Sequence, residues 1–258
     1  MRYDASMKGL NMKIRDNYVI KQNQRIAKDV YEMILVGDTS AIQSPGEFVN
    51  VYVPGKFLPR PISVAYSDEE SLCLAYKVVG EGTEIISQMV PGEVLTVLTG
   101  LGNGFDLDVP SEKPVLIGGG MGVAPLYKLA VELKKRKKEA TIITGFRREE
   151  DIIYYDQLNA LFPNFVTLEQ APLKKGVRMV TDILKTLSES DYDYFYACGP
   201  KPMLKAVCDI ALTDGEVSLE SRMACGVGQC KCCSIETNDG MKTLCKDGPV
   251  LKKNMVRW

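Results

Sequence analysis

Four cysteines near the end of the chain constrain it more than any other feature. Cys225, Cys230, Cys233 and Cys245 are separated by four, two and eleven residues, and Gly226 and Gly228 fall in the first gap. A C-x4-C-x2-C run with a more distant fourth cysteine is the spacing of plant-type [2Fe–2S] sites. Glycines there let the backbone wrap around inorganic sulfide and aim N–H groups at it. The chain contains no histidine. That excludes Rieske ligation, imidazole-based nucleophile systems and most catalytic zinc sites. Three readings remain: an iron–sulfur cluster, a structural zinc held by four thiolates, or buried thiols without a metal. The asymmetric spacing favours the cluster over a zinc ribbon. Cys232 stands beside Cys233, and the x2 spacing selects Cys233 as the third ligand.

The rest of the composition is that of a globular protein: 258 residues, 45% hydrophobic, 25% charged, with a formal net charge of −1. No broad basic face for nucleic acid is implied. The polar N-terminus lacks the apolar run of a secretion signal. The cysteines are therefore expected to be reduced, in a cytoplasmic protein. Residues 114–127 carry no charge, but the stretch is too short to cross a bilayer and is interrupted by Gly118, Gly119, Gly120, Gly122 and Pro125. A buried strand, a tight turn and a helix start are expected there, and no membrane span.

Three regions follow along the chain. Residues 1–112 hold β-rich segments at 18–24, 29–36, 48–53, 71–79 and 93–98, punctuated by Gly and Pro turns. They predict a small antiparallel barrel with a short helix at 83–89, preceded by a loose extension over the first dozen residues. Residues 113–215 alternate strands (115–117, 141–145, 165–168, 194–198) with helices (124–138, 156–161, 181–187, 202–212). That alternation predicts a doubly wound α/β domain on a parallel sheet. Residues 216–258 are short and rich in Cys and Gly. So few residues bury little core, and a metal cluster would supply cohesion.

Several short motifs carry chemistry within this frame. Gly118-Gly119-Gly120-Met121-Gly122 joins a strand to a helix and would bring backbone N–H groups to a pyrophosphate, or simply pack the helix on the sheet. Cys198-Gly199-Pro200 closes a second strand at the carboxyl end of the sheet where ligands bind, its Cys either touching a nicotinamide ring or serving as a small buried hydrophobe. Arg60-Pro61-Ile62-Ser63 offers a guanidinium for a phosphate and a hydroxyl for a flavin nitrogen. Tyr76-Lys77-Val78 and Gly82-Thr83 precede and open the short helix, either as a phosphate site or as a plain cap. Arg147-Arg148 follow the strand ending at Gly145, and either reach a 2′-phosphate or face solvent.

These elements, with the Gly102-Asn103-Gly104-Phe105 turn, occur in an order that resembles the ferredoxin–NADP reductase superfamily. With the trailing cysteines the chain looks most like the family of electron-transfer subunits of NAD-linked dihydroorotate dehydrogenase B. The resemblance implies FAD on Arg60, Pro61, Ile62, Ser63, Tyr76, Lys77, Val78, Gly82 and Thr83. It implies NAD as an exchangeable substrate bordered by Gly118, Gly119, Gly120, Gly122, Gly199 and Pro200, with Cys198 at the catalytic position. It implies a [2Fe–2S] cluster on Cys225, Cys230, Cys233 and Cys245. The implied partner is an FMN-containing catalytic subunit, in a heterotetramer of two plus two. Ile62 stands where many reductases place Tyr, and the eleven-residue gap before Cys245 is also similar to the small subunits of NADPH-dependent ferredoxin oxidoreductases and sulfide dehydrogenases. A nucleotide-binding regulator with a four-thiolate zinc is the alternative that is not an enzyme.

Overall fold

A computed structural model describes residues 12–170 and 178–258. The expected N-terminal extension, residues 1–11, lies outside them. Six strands close the barrel: β1 (Arg15–Ala27), β2 (Val30–Val36), β3 (Phe48–Tyr52), β4 (Arg60–Ser67), β5 (Ser71–Lys77) and β6 (Val94–Leu101), with α1 (Glu81–Ser87) between the last two. Their order around the barrel is β1-β2-β5-β4-β3-β6. Alternation builds it: Val49 and Val51 of β3 and Val64 of β4 point inward with Leu35, Leu72 and Val97, all at 1% exposure or less.

The sequence indicated no strand at Arg60-Pro61-Ile62-Ser63, whereas these residues are the first half of β4. The leading Arg-Pro masks the strand. Along this half β4 pairs with β3 alone (Phe48↔Ser63, Val49↔Ile62, Asn50↔Pro61, Val51↔Arg60), and pairing with β5 begins at Val64. An edge open on one side tolerates Pro61, which has no N–H to donate.

The second unit is a six-stranded sheet in the order β14-β11-β10-β7-β8-β9. Its strands are β7 (Pro114–Gly119), β8 (Thr141–Phe146), β9 (Asn164–Leu168), β10 (Tyr194–Cys198), β11 (Gly215–Ser218) and the antiparallel β14 (Val250–Lys252). The helices are α2 (Val123–Lys135), α3 (Tyr155–Asn159), α4 (Val180–Leu184) and α5 (Lys201–Ile210). The expected helix at 124–138 stops earlier because Lys137 turns left-handed, at φ 60°. Strand order reverses at β7, so the crevice between the carboxyl ends of β7 and β10 is the switch point where such sheets bind ligands.

Neither β11 nor β14 was read from the sequence. Both are short strands contributed by the start and end of the cysteine-rich region. Between them lie the cysteine loop, the hairpin β12 (Ser234–Thr237) and β13 (Gly240–Thr243), and α6 (Leu244–Asp247). This segment has no core of its own. Its buried Cys233, Leu244 and Cys245 join one apolar cluster with Phe48 and Leu101 of the barrel and Phe195, Ala197 and Val217 of the sheet. No helix among the described residues is long and apolar enough to cross a membrane.

Candidate functional site

The motifs that are remote in sequence meet in pairs. Arg60 lies over Gly82: a Cβ on that glycine would sit 2.3 Å from the Arg60 Nε. The guanidinium also donates through Nη1 to the Leu58 carbonyl at 2.5 Å, and Lys56 pairs with Glu81 beside it. The cradle therefore carries two cations next to the turn at Gly80–Gly82. Ser63 is half-buried on the outward face of β4, and Pro61 is exposed beside it.

Other predicted flavin contacts serve the scaffold instead. The Ile62 side chain packs into the barrel core. Tyr76 is also buried there, its ring stacked on Tyr31 and its hydroxyl donating to Asn23 Oδ1 at 2.8 Å. Thr83 spends its hydroxyl within the turn: it accepts from the N–H groups of Val79 (2.9 Å) and Gly80 (3.2 Å) and donates to the Gly80 carbonyl (2.8 Å). These three residues can offer a cofactor only their backbone. Lys77 is exposed and Val78 is half-buried, its N–H bonded to the Asp29 carbonyl at 2.8 Å.

The glycine-rich loop and Cys198-Gly199-Pro200 form one crevice. A Cβ on Gly122 would lie 2.3 Å from the Cys198 carbonyl oxygen, and one on Gly119 would lie 2.4 Å from Met203 Sδ. The crevice opens into a cavity of about 520 Å³ lined by Gly119, Gly120, Arg147, Glu169, Arg178, Pro200 and Met203, among others. Arg147 turns toward this cavity. Arg148 turns away, to Gln170 and Glu150. The sequence reading missed Glu169 and Arg178. The Nε of Arg178 is buried and has no hydrogen-bond partner among the described residues, as a group kept for an anionic ligand would be. The position of Glu169, just past the carboxyl end of a parallel strand, was the available signal. Burial pushes the Cys198 thiol up to about 12, with Glu220 adding to the effect. That favours the neutral thiol over the thiolate.

Of the four predicted ligands, Cys225 has Cys230 beside it, and Cys245 has Cys233 beside it and Cys225 within electrostatic reach. Among the described residues, no three His, Cys, Asp or Glu side chains are gathered as a single ion requires. Backbone N–H groups point at the sulfurs: Val227 and Cys230 at Cys225 (3.4 and 3.5 Å), Gly228 at Cys245 (3.1 Å), Cys245 at Cys233 (3.4 Å). Burial raises the Cys225 thiol, but these backbone donors and the Cys230 side chain outweigh it and bring it down to about 6. Burial and the neighbouring Cys233 push Cys245 up to about 12. A bound cation reverses that second effect, because it favours the thiolate outright. Cys232 is exposed and Cys233 buried, so Cys233 is the thiol gathered with Cys245.

Comparison with known proteins agrees with this geometry. Residues 220–257 match the iron–sulfur cluster binding domain of dihydroorotate dehydrogenase B, and residues 116–209 match an oxidoreductase NAD-binding domain. The chain is 38% identical, over 93% of its length and 96% of the relative's, to the dihydroorotate dehydrogenase B (NAD(+)) electron transfer subunit of Fusobacterium nucleatum. The chain belongs to that family of electron-transfer subunits. The corresponding Geobacillus subunit is 37% identical over 94% of this chain and 98% of its own. Among solved structures, an NADH-dependent reduced ferredoxin–NADP oxidoreductase superposes with a TM-score of 0.84 at 28% identity, covering 93% of this chain and 90% of that one. Phthalate dioxygenase reductase shares the fold, with a TM-score of 0.61 at 19% identity over 76% of this chain and 63% of that one. The expected barrel-plus-sheet architecture and the expected family hold. The zinc-bearing regulator is set aside by the iron–sulfur match over residues 220–257.

Proposed function

We propose that this chain carries electrons to NAD⁺ from the FMN of a catalytic partner that oxidises dihydroorotate to orotate, a step of de novo pyrimidine (UMP) synthesis. Two copies of each subunit would form the working enzyme. FAD and a [2Fe–2S] cluster supply the redox chemistry when bound, one electron at a time on the partner side and as a hydride on the nicotinamide side.

The chain's own residues hold, orient and shield. Cys225, Cys230, Cys233 and Cys245 would ligate the cluster, and thiols set as two pairs suit two irons. The amides of Val227, Gly228, Cys230 and Cys245 would tune it by donating to sulfur. Arg60 would neutralise the FAD phosphates over Gly82, with Pro61 and Ser63 facing the ring. Gly118, Gly119, Gly120 and Gly122 would admit the NAD pyrophosphate, and Cys198, Gly199 and Pro200 would border the nicotinamide. No general base is needed, in keeping with the absence of histidine. Glu169 shares the cavity with Arg147 and Arg178, so its lining holds groups for either nucleotide, and NAD is chosen from the family.

The observation that carries this reading is the paired thiols with backbone amides aimed at them, set against the outer face of the barrel that bears Pro61 and Ser63. The likeness to the ferredoxin–NADP oxidoreductase supports a second reading, with ferredoxin as the other substrate. One assay separates them. The chain co-purified with an FMN-type dehydrogenase subunit should reduce NAD⁺ with dihydroorotate, and the chain alone should not. Failure of the complete complex would favour the second reading, and turnover by the isolated chain would refute the role assigned to the partner.

A further inference from the structure

A buried polar side chain is left half-satisfied at the seam between the flavin-facing strand and the cysteine loop. Asn50 is 1% exposed. Its neighbours Val49 and Val51 on β3 point into the barrel core. Phe48 points outward into the cluster shared with the sheet and the cysteines. By the two-residue period of a strand, Asn50 shares that outward face. On β4 its register partner is Pro61, and that of Phe48 is Ser63. Paired residues of an antiparallel ladder show their side chains on one face. Asn50 is therefore one strand spacing, roughly 4.8 Å, from Pro61 and on the diagonal, roughly 7–8 Å, from Ser63, the two residues proposed to face the flavin ring.

The cysteine loop lies against the same side chain. Asn50 Nδ2 donates to the Cys225 carbonyl at 3.3 Å. Gly226, at φ +71°, approaches so closely that a Cβ on it would lie 2.3 Å from that nitrogen. Asn50 Oδ1, in contrast, is buried without a hydrogen-bond partner among the described residues. Flipping the amide would set its oxygen against the Cys225 carbonyl and leave the nitrogen unpaired, so the bond to Cys225 fixes the orientation. An acceptor buried without a donor is costly, and on the outward face beside Pro61 a bound flavin would be placed to supply that donor.

The geometry points to Asn50 as the positioning residue that couples the two redox sites. Its Nδ2 holds the Cys225–Gly226 turn, and its Oδ1 accepts a hydrogen bond from a ring N–H of bound isoalloxazine. One planar amide then fixes the separation between flavin and cluster. This inference rests on the FAD and [2Fe–2S] assignment proposed above.

The test uses the complete complex, purified without oxygen, with Asn50→Leu and Asn50→Asp. Three quantities are read: the FAD dissociation constant by flavin fluorescence, the g-values of the reduced cluster, and its midpoint potential. Asn50→Leu removes both bonds. FAD affinity should fall about tenfold, the scale of one lost hydrogen bond, and both cluster signatures should shift. Asn50→Asp keeps an acceptor and loses the amide donor. FAD affinity should stay within about twofold of native while the cluster signatures shift. An Asn50→Leu complex with full flavin and iron, native affinity and native cluster signatures would overturn the inference. If that variant fails to fold, Asn50→Asp decides alone: unchanged cluster signatures, or FAD affinity lost with them, would sink it. A native complex lacking flavin or iron would instead defeat the cofactor assignment on which the inference rests.

Discussion

The barrel and the cysteine segment reach their folded states by different means. The barrel closes six hydrogen-bonded strands around an inward-facing apolar core built from its own side chains. The segment from Cys225 to Asp247 has one two-stranded hairpin, a four-residue helix and a long stretch with neither. Two of its buried side chains, Cys233 and Cys245, are proposed ligands, and they pack into apolar surface supplied by the barrel and the sheet. Apolar burial specifies the first region, whereas metal–thiolate bonds would contribute much of the stability of the second. Function divides the same way. Under the proposed function, the barrel and sheet would position FAD and nucleotide, and the cysteine segment would carry electrons in from the partner.

The largest expected effect comes from cutting the segment's proposed anchor. Cys245→Ala should remove the cluster and lower dihydroorotate-dependent NAD⁺ reduction more than about 100-fold, a loss beyond 2.7 kcal/mol in the barrier. NADH-dependent dye reduction through FAD should continue. Survival of both activities would show that Cys245 is not a ligand. Iron removal is the next test. Chelation under reducing conditions should open the chain to protease between about residues 221 and 247, leaving the barrel intact, because only the segment depends on metal. Equal protection with and without iron would erase the contrast between the regions.

Within the barrel and sheet, Gly122→Ala drives a Cβ against the Cys198 carbonyl. Nucleotide affinity should fall roughly tenfold, about 1.4 kcal/mol, with the cluster spectrum unchanged, as titration with NADH would show. The smallest effect concerns Glu216 on β11, at the border of the two regions. Burial pushes its carboxyl up to about 7 from 4.5, with the Asp106 charge raising it further and the Asp106 N–H and Lys252 opposing. A raised folded-state pKa gives stability that is full below pH 4.5 and lost as pH rises through about 7. Glu216→Gln should therefore match the native protein near pH 5 and exceed it near pH 8 by on the order of 2 kcal/mol in chemical denaturation. Equal stabilities at pH 8 would show that Glu216 ionises without penalty.

The contrast between regions also explains what the sequence made legible. Alternation and Gly-Pro punctuation located five of the six barrel strands, because each half-buried strand carries its own period. The sixth, Arg60–Ser67, was hidden because its head is a polar site on an open edge. The strands Gly215–Ser218 and Val250–Lys252 carry too few residues to show a period and form only against a sheet already built. At the site, cysteine spacing proposed four thiols, of which the structure sets Cys225 beside Cys230 and Cys233 beside Cys245. Asn50, Glu169 and Arg178 were not found. Each owes its setting to contacts from distant segments, and an isolated Asn, Glu or Arg in the chain carries no mark of that.

The most direct test is to purify the chain with its partner under strict anaerobiosis, reduce it with NADH and measure flavin, iron, acid-labile sulfide and the electron paramagnetic resonance spectrum. The expected result is about one FAD, two irons and two sulfides per chain, with a half-spin signal that appears on NADH addition. Flavin without iron and sulfide, or a silent spectrum in a fully reduced sample, would contradict the account.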